Sequence, residues 1–290
     1  MRASTAPPAL AALALSAESI GRAAVLALHD ELALSPKPGL VTLTSNGSHR
    51  DMDARTFLRS MSALRPYFVE IAGLGAHGAP FPDLEQAGLR AEARMLAAAG
   101  GVNTHRGAIF LLGLLCAAAG AVAAAGWPLT PAAIRFTLTD RWGEALRQRA
   151  LRPSSLSGGI AARQLGLRGA SEEAALGFPA VFDTGVPAMQ SALARGLPAG
   201  RARLDTFFHL MAVLDDSNLA HRGGLDGLRF AQGAAREFLA LGGAAHPDAI
   251  HRAARLALAF EARWLSPGGS ADMLAAVCWM RRIGALGAVM

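Results

Sequence analysis

Residues 107–126 read GAIFLLGLLCAAAGAVAAAG, twenty positions in succession without a charge. A run of that length and apolarity has two physical outcomes. It crosses a bilayer, or it forms a helix covered on every side by the other helices of a bundle. A membrane reading wants companion segments and basic residues gathered on one flank, and no other segment of comparable length in this chain lacks charge. The small residues suit close packing by neighbouring helices, so the run predicts a buried central helix and no membrane association.

The rest of the composition agrees. Of the 290 residues, 52% are hydrophobic but only 6% aromatic, and the apolar content is mostly Ala, Leu and Gly. Such a mixture favours packed helices over sheets, and the length suffices for a large core. The expected fold is all-α: a single-domain multi-helix bundle over residues 1–290, built around a buried Ala/Gly-rich central helix. Helical periodicity and capping signals place helices from about Ala9 to Leu34 and from an Asp53 cap to about Leu74. Further helices are placed from an Asp83/Gln86 capping pattern, from Thr104 to Ala125, from Thr130 to about Leu151 and from Leu204 to Leu219. Three more begin near Leu225, Pro247 and Ser270. Ser155 to Pro179 is irregular and glycine-containing, and reads as a flexible loop able to act as a lid. The apolar N-terminus, MRASTAPPALAALALSAES, runs into an amphipathic helix and reads as mature structure rather than a signal peptide.

A net charge of +6 suits a polyanionic partner. The basic residues form no extended run and are not interleaved with aromatics, which disfavours a nucleic-acid groove and leaves small phosphorylated ligands. Cys116 and Cys278, the only cysteines, lie in apolar helical stretches and read as buried free thiols, consistent with a reducing cytoplasm.

Lys37 is the only lysine among 28 basic residues. A compact ammonium and a planar guanidinium fork differ where space is restricted, and Pro36, Pro38 and Gly39 stiffen the loop around it. Four polar clusters interrupt the apolar chain. SNGSHRDMD offers Asn46, Ser48, His49, Asp51 and Asp53, the last explained as a helix cap. GVNTHRG sets Asn103, Thr104, His105 and Arg106 at the start of the central helix, either as a phosphate site or as a plain cap. DDSNLAHRGG carries Asp215, Asp216, Asn218, His221 and Arg222; hard oxygen ligands beside phosphate suit magnesium, and a charged helix end is the plainer account. SPGGSADML forms a turn into a helix, where the amides of Gly268, Gly269 and Ser270 can cradle phosphate and Asp272 falls in the first turn. No nucleophile set and no Cys-x-x-Cys motif is present. The pooled chemistry is that of a site for magnesium and phosphates.

Taken in order, PKPGLV, NGSHRDMD, GVNTHRGAIFLLGLL, DDSNLAHRGG and SPGGSADML resemble the triphosphoribosyl-dephospho-coenzyme A synthase family, from residue 36 to 274. The resemblance implies an all-helical enzyme that joins ATP to 3′-dephospho-coenzyme A and releases adenine. A phosphoribosyl-dephospho-coenzyme A transferase then passes the product to the acyl carrier protein of citrate lyase or malonate decarboxylase. It implies Asp51 or Asp216 as the carboxylate beside the anomeric carbon and His49 or His105 as the base. It implies Lys37, Arg106 and Arg222 as phosphate contacts, and Asp215 with Asp216 as ligands of Mg2+. Arg106 stands where relatives often carry Lys, Ser217 where Thr is common, and Thr42 where the citrate lyase branch often has an acid; the last tilts the reading towards malonate decarboxylase. A magnesium-dependent hydrolase of nucleotides or ADP-ribosyl compounds would use the same carboxylates and phosphate contacts with water as acceptor, whereas a basic helical protein that binds nucleotide or acidic carrier protein without turnover leaves the clustered Asp, Asn and His residues unexplained. The sequence leaves the oligomeric state open.

Overall fold

In the computed structural model, which describes residues 15–287, the uncharged run forms the helix α4, Arg106–Ala124. It is enclosed by α1 (Ala17–Leu32), α2 (Ala54–Ala76), α3 (Phe81–Ala98), α5 (Pro131–Leu151) and α12 (Gly268–Arg282). This helix alone among the described residues is long and apolar enough to cross a membrane, and 78% of its most apolar window is buried inside the fold. Glycines explain how tightly α2 and α4 meet. A side chain at Gly75 would collide with the Ala117 carbonyl, and one at Gly120 with the Ala72 carbonyl, so each helix presses its backbone into the other.

The remaining helices are α6 (Ser157–Gln164), α7 (Ala170–Ala175), α8 (Val186–Ala194), α9 (Ala199–Val213), α10 (Ser217–Ala240) and α11 (Ala249–Ala262). No strand occurs among the described residues, so the all-α expectation holds. Trp279, Phe68, Phe207 and Phe208 fill the core, and Cys116 and Cys278 are buried free thiols as expected. Trp279 also joins the chain ends by donating its indole N–H to the Ile20 carbonyl at 3.2 Å.

Several boundaries move for identifiable reasons. The expected first helix includes residues 9–14, which lie outside the described residues, as does most of the N-terminal stretch. From Leu15 onward the helix begins at Ala17, because Ser16 is extended and caps it through Ser19 N–H. Asp53 and Thr130 cap α2 and α5 as predicted. Asp83 does not start α3: prolines at positions 80 and 82 open that helix two residues earlier and leave Asp83 inside the first turn. The segment expected as an irregular loop carries α6 and α7, packed on α10 and α5.

The most consequential correction concerns the helix expected from Leu204 to Leu219. It is two helices, α9 and α10, separated by an extended break in which Asp216 becomes the cap of α10. Gly224 then kinks α10 at φ 62°, ψ −162°, a conformation only glycine adopts freely, close to the start expected at Leu225.

Candidate active site at three helix starts

The starts of α4, α10 and α12 open into one cavity of about 1170 Å³, where Arg106 and Gly107, Ser217 and Asn218, and Gly268 and Gly269 stand together. Helix N-termini present unpaired N–H groups and partial positive charge, so this convergence favours a polyanion. The volume exceeds the usual range of roughly 300–1,000 Å³ for a single small-molecule site.

One buried carboxylate holds two of these starts together. Asp216 Oδ1 accepts from Asn218 N–H at 3.0 Å and Leu219 N–H at 3.4 Å, capping α10. Its Oδ2 accepts from the backbone N–H and the hydroxyl of Ser270, at 2.8 and 3.0 Å, capping α12. Burial raises its pKa and these donors oppose the rise. The catalytic and metal-binding roles expected for Asp216 therefore do not fit: its oxygens are committed to the backbone, and it is 1% exposed and absent from the cavity wall. Asp215 accepts from Arg168 N–H at 3.1 Å and also lies off the wall. Among the described residues no group of three His, Cys, Asp or Glu gathers to hold a metal. Asp215 and Asp216 thus both lie behind the cavity wall, engaged with backbone N–H groups.

Lys37 is corrected as well. Its side chain is fully buried and outside the cavity lining; its ammonium donates to the Glu31 carbonyl at 2.8 Å and pairs with the Glu31 carboxylate. It is no direct phosphate contact but a support behind Glu31, which does line the cavity. The Glu31 carbonyl belongs to the last turn of α1, where helical partners run out. The slot admits an ammonium between the carbonyl and the carboxylate, which accounts for the lone lysine.

Ser48 and Asn46 also leave the binding set. Ser48 is buried and its hydroxyl donates to the Leu265 carbonyl at 2.7 Å, while Asn46 is exposed away from the cavity. Ser270 serves Asp216 and is buried behind the wall.

His49, Asp51, Asn103, His105, Arg106, Asn218, His221, Arg222, Gly268 and Gly269 do share the cavity. Arg222 is anchored by the carbonyls of Ser48 and Trp264, at 2.9 and 3.1 Å, and reaches His49 Nδ1 at 3.1 Å. A guanidinium only donates, so Nδ1 accepts and the proton sits on Nε2, 2.9 Å from Ser266 Oγ. Burial and the Arg222 charge both lower the His49 pKa. Asp51, 58% exposed, stands 3.6 Å from His49 Nδ1. Both ring nitrogens are thus engaged, and the base role is poorly available to His49 in this arrangement.

His105 is different. Thr104 Oγ1–H donates to Ser60 Oγ at 2.8 Å, and His105 Nδ1 lies 2.6 Å from Ser60 Oγ and 3.1 Å from Thr104 Oγ1. Its Nε2 is buried without a partner. Burial and the nearby Lys37 charge hold the His105 pKa down to about 3, so the ring is neutral. It can offer a hydrogen bond to a ligand, whereas accepting a proton is strongly disfavoured. Asn103 Oδ1 accepts from Arg106 N–H at 3.1 Å, and Arg106 pairs with Glu92 at 2.6 Å.

Glu31 was not singled out from the sequence, and Asp272 was noted only as a first-turn residue with no role given to it. Glu31 falls on the buried stripe of α1 with Ala24, Ala27 and Leu28, and an acid on an apolar stripe is a signal that was legible. Asp272 lines the cavity against Gly107 at the start of α4, where any side chain would overlap its Oδ2. Arg149 and Arg152, both paired with Glu85, complete a basic rim.

Residues 17–288 match the family described as CitG: ATP:dephospho-CoA triphosphoribosyl transferase. The chain belongs to that family. It is similar to a probable 2-(5''-triphosphoribosyl)-3'-dephosphocoenzyme-A synthase of Acinetobacter calcoaceticus, with 38% identity over 89% of this chain and 88% of that protein. A probable synthase of the same name from Vibrio cholerae is 39% identical, over 90% of this chain and 86% of its own. The 2-(5''-triphosphoribosyl)-3'-dephosphocoenzyme-A synthase of Pectobacterium atrosepticum is 39% identical over 88% and 85%. No solved structure matches the chain. As a CitG-family member the protein is a transferase, and its motifs converge on the cavity rather than on a surface groove.

Proposed function

We propose that this transferase joins ATP to 3′-dephospho-coenzyme A: a ribose hydroxyl of the acceptor attacks the anomeric carbon of the nucleotide's ribose, adenine leaves, and the triphosphate stays on the product. The observation that carries the reading is the convergence of the starts of α4, α10 and α12, with Arg106 and Arg222, on one cavity roomy enough for two nucleotide-like substrates. In this reading the helix starts receive the triphosphate, Arg149 and Arg152 at the rim attract the second phosphorylated substrate, and neutral His105 donates a hydrogen bond. Magnesium travels with the nucleotide's phosphates and needs no dedicated protein site.

The product supplies the prosthetic group of an acyl carrier protein by way of a phosphoribosyl-dephospho-coenzyme A transferase, in the cytoplasm. Thr42 favours the malonate decarboxylase pathway; its hydroxyl accepts from Ser45 N–H at 3.0 Å and shapes the loop. The deciding experiment is chromatographic: incubate the protein with ATP, magnesium and 3′-dephospho-coenzyme A and quantify adenine with and without acceptor. Acceptor-dependent adenine matched by a conjugate that keeps the triphosphate is expected. Adenine or phosphate released regardless of acceptor would make the protein a hydrolase instead.

A further inference from the structure

Glu31 and Asp272 lie on α1 and α12, two helices that pack together, and both carboxylates line the cavity beside the start of α4. Their surroundings differ sharply. Glu31, a cavity-lining residue, is paired through Oε1 with the buried Lys37 ammonium. Asp272 has no cation paired with it among the described residues. It rests on Gly107, while its own burial and the charges of Glu31 and Asp216 push its pKa well above the usual carboxylate range. His105 contributes no charge, being neutral. One carboxylate is therefore paired with a buried cation and its neighbour is not, an asymmetry of the kind by which paired carboxyls divide the work of base and acid in glycosyl chemistry.

We propose that Glu31 and Asp272 are the acid–base pair of the transfer reaction, Glu31 taking the proton of the attacking ribose hydroxyl and Asp272 giving its proton to a ring nitrogen of the departing adenine. The inference rests on the reaction proposed above. As the hydroxyl oxygen forms its bond to the anomeric carbon, the bond from that carbon to adenine breaks and its electron pair leaves with the base. One proton is taken from the hydroxyl and one is delivered to adenine, so the count is unchanged. Exchange of one proton from Glu31 and one to Asp272 with solvent in the open cavity resets the pair.

The test is Asp272→Asn in the full chain, assayed for acceptor-dependent adenine with ATP and with ATP methylated at N7 of adenine, whose cationic base departs without being protonated. With ATP the variant should lose about 10²- to 10⁴-fold in kcat, the usual range for general acid catalysis, with little change in KM. With the methylated nucleotide it should return to within about tenfold of the wild-type rate, and the alkaline limb of the wild-type pH profile should vanish. Equal losses on both nucleotides, or an alkaline limb that survives, would overturn the assignment. Should Asp272→Asn fail to fold by circular dichroism, Gly107→Ala displaces the same carboxylate by overlap with Oδ2 while keeping it, and must show the same nucleotide-dependent loss. Wild-type protein that releases no adenine in the presence of acceptor overturns the reaction and the pair together. An active wild type beside an equally active Asp272→Asn overturns the pair alone.

Discussion

Asp216 Oδ2 accepts two hydrogen bonds from Ser270, one from its N–H at 2.8 Å and one from its hydroxyl at 3.0 Å, and so ties α12 to α10 across 54 residues of sequence. Replacing that oxygen with an amide leaves a buried N–H facing another donor. Asp216→Asn should cost about 2–4 kcal/mol, more than an ordinary cap, because the start of α12 loses its buried acceptor and meets a donor in its place while Oδ1 still caps α10. Urea unfolding measures it; a loss under about 1 kcal/mol would mean that the bridge is dispensable.

The Lys37 ammonium has no route to solvent and one carboxylate partner, Glu31. Lys37→Met strands that carboxylate and should destabilise by about 3–5 kcal/mol, whereas Lys37→Met with Glu31→Gln should recover much of the loss. Lys37→Arg overfills the slot and should cost about 1–3 kcal/mol. A fully stable Lys37→Arg protein would show that the slot admits the wider head group.

His105 is buried neutral with a pKa near 3, below its ordinary value of 6.5. The unfolded chain then binds the extra proton first as pH falls, so the fold keeps this contribution above pH 6.5 and loses it between 6.5 and about 3. The slope should approach about 1.4 kcal/mol per pH unit for this one proton. His105→Gln should flatten that part of the curve; an unchanged slope in thermal melts across the upper part of that window would refute the buried neutral ring.

Arg222 donates to His49 Nδ1, and its charge is one cause of the lowered His49 pKa, after burial. Arg222→Gln should raise that pKa, visible by NMR titration of the imidazole, and should weaken nucleotide binding because the same guanidinium faces the cavity. A His49 pKa that stays put would show that burial alone sets it.

Much of the helical framework was legible in the chain itself. The uncharged run and the Asp53 and Thr130 caps are local signals, and local signals survive folding. The site was legible only as a set of short polar motifs. The run DDSNLAHRGG looked like the continuation of a helix, yet Asp216 leaves helical geometry to cap one, because a buried acceptor shared by two helix starts outweighs local propensity. Lys37 advertised itself by being alone, but its partner Glu31 could be recognised only from the stripe it shares with Ala27 and Leu28.

The sequence by itself determined that this chain is a helical bundle around one buried helix and that its chemistry is spread over separated polar loops. The tertiary structure decided which of those polar groups face the cavity and which hold the scaffold. Asp216, Lys37 and Ser48 turned inward to satisfy backbone and charge, while Glu31 and Asp272 were brought to the cavity by the packing of α1 against α12. The physical reason is that a polar group's role depends on the partners that burial leaves it, and those partners come from distant parts of the chain.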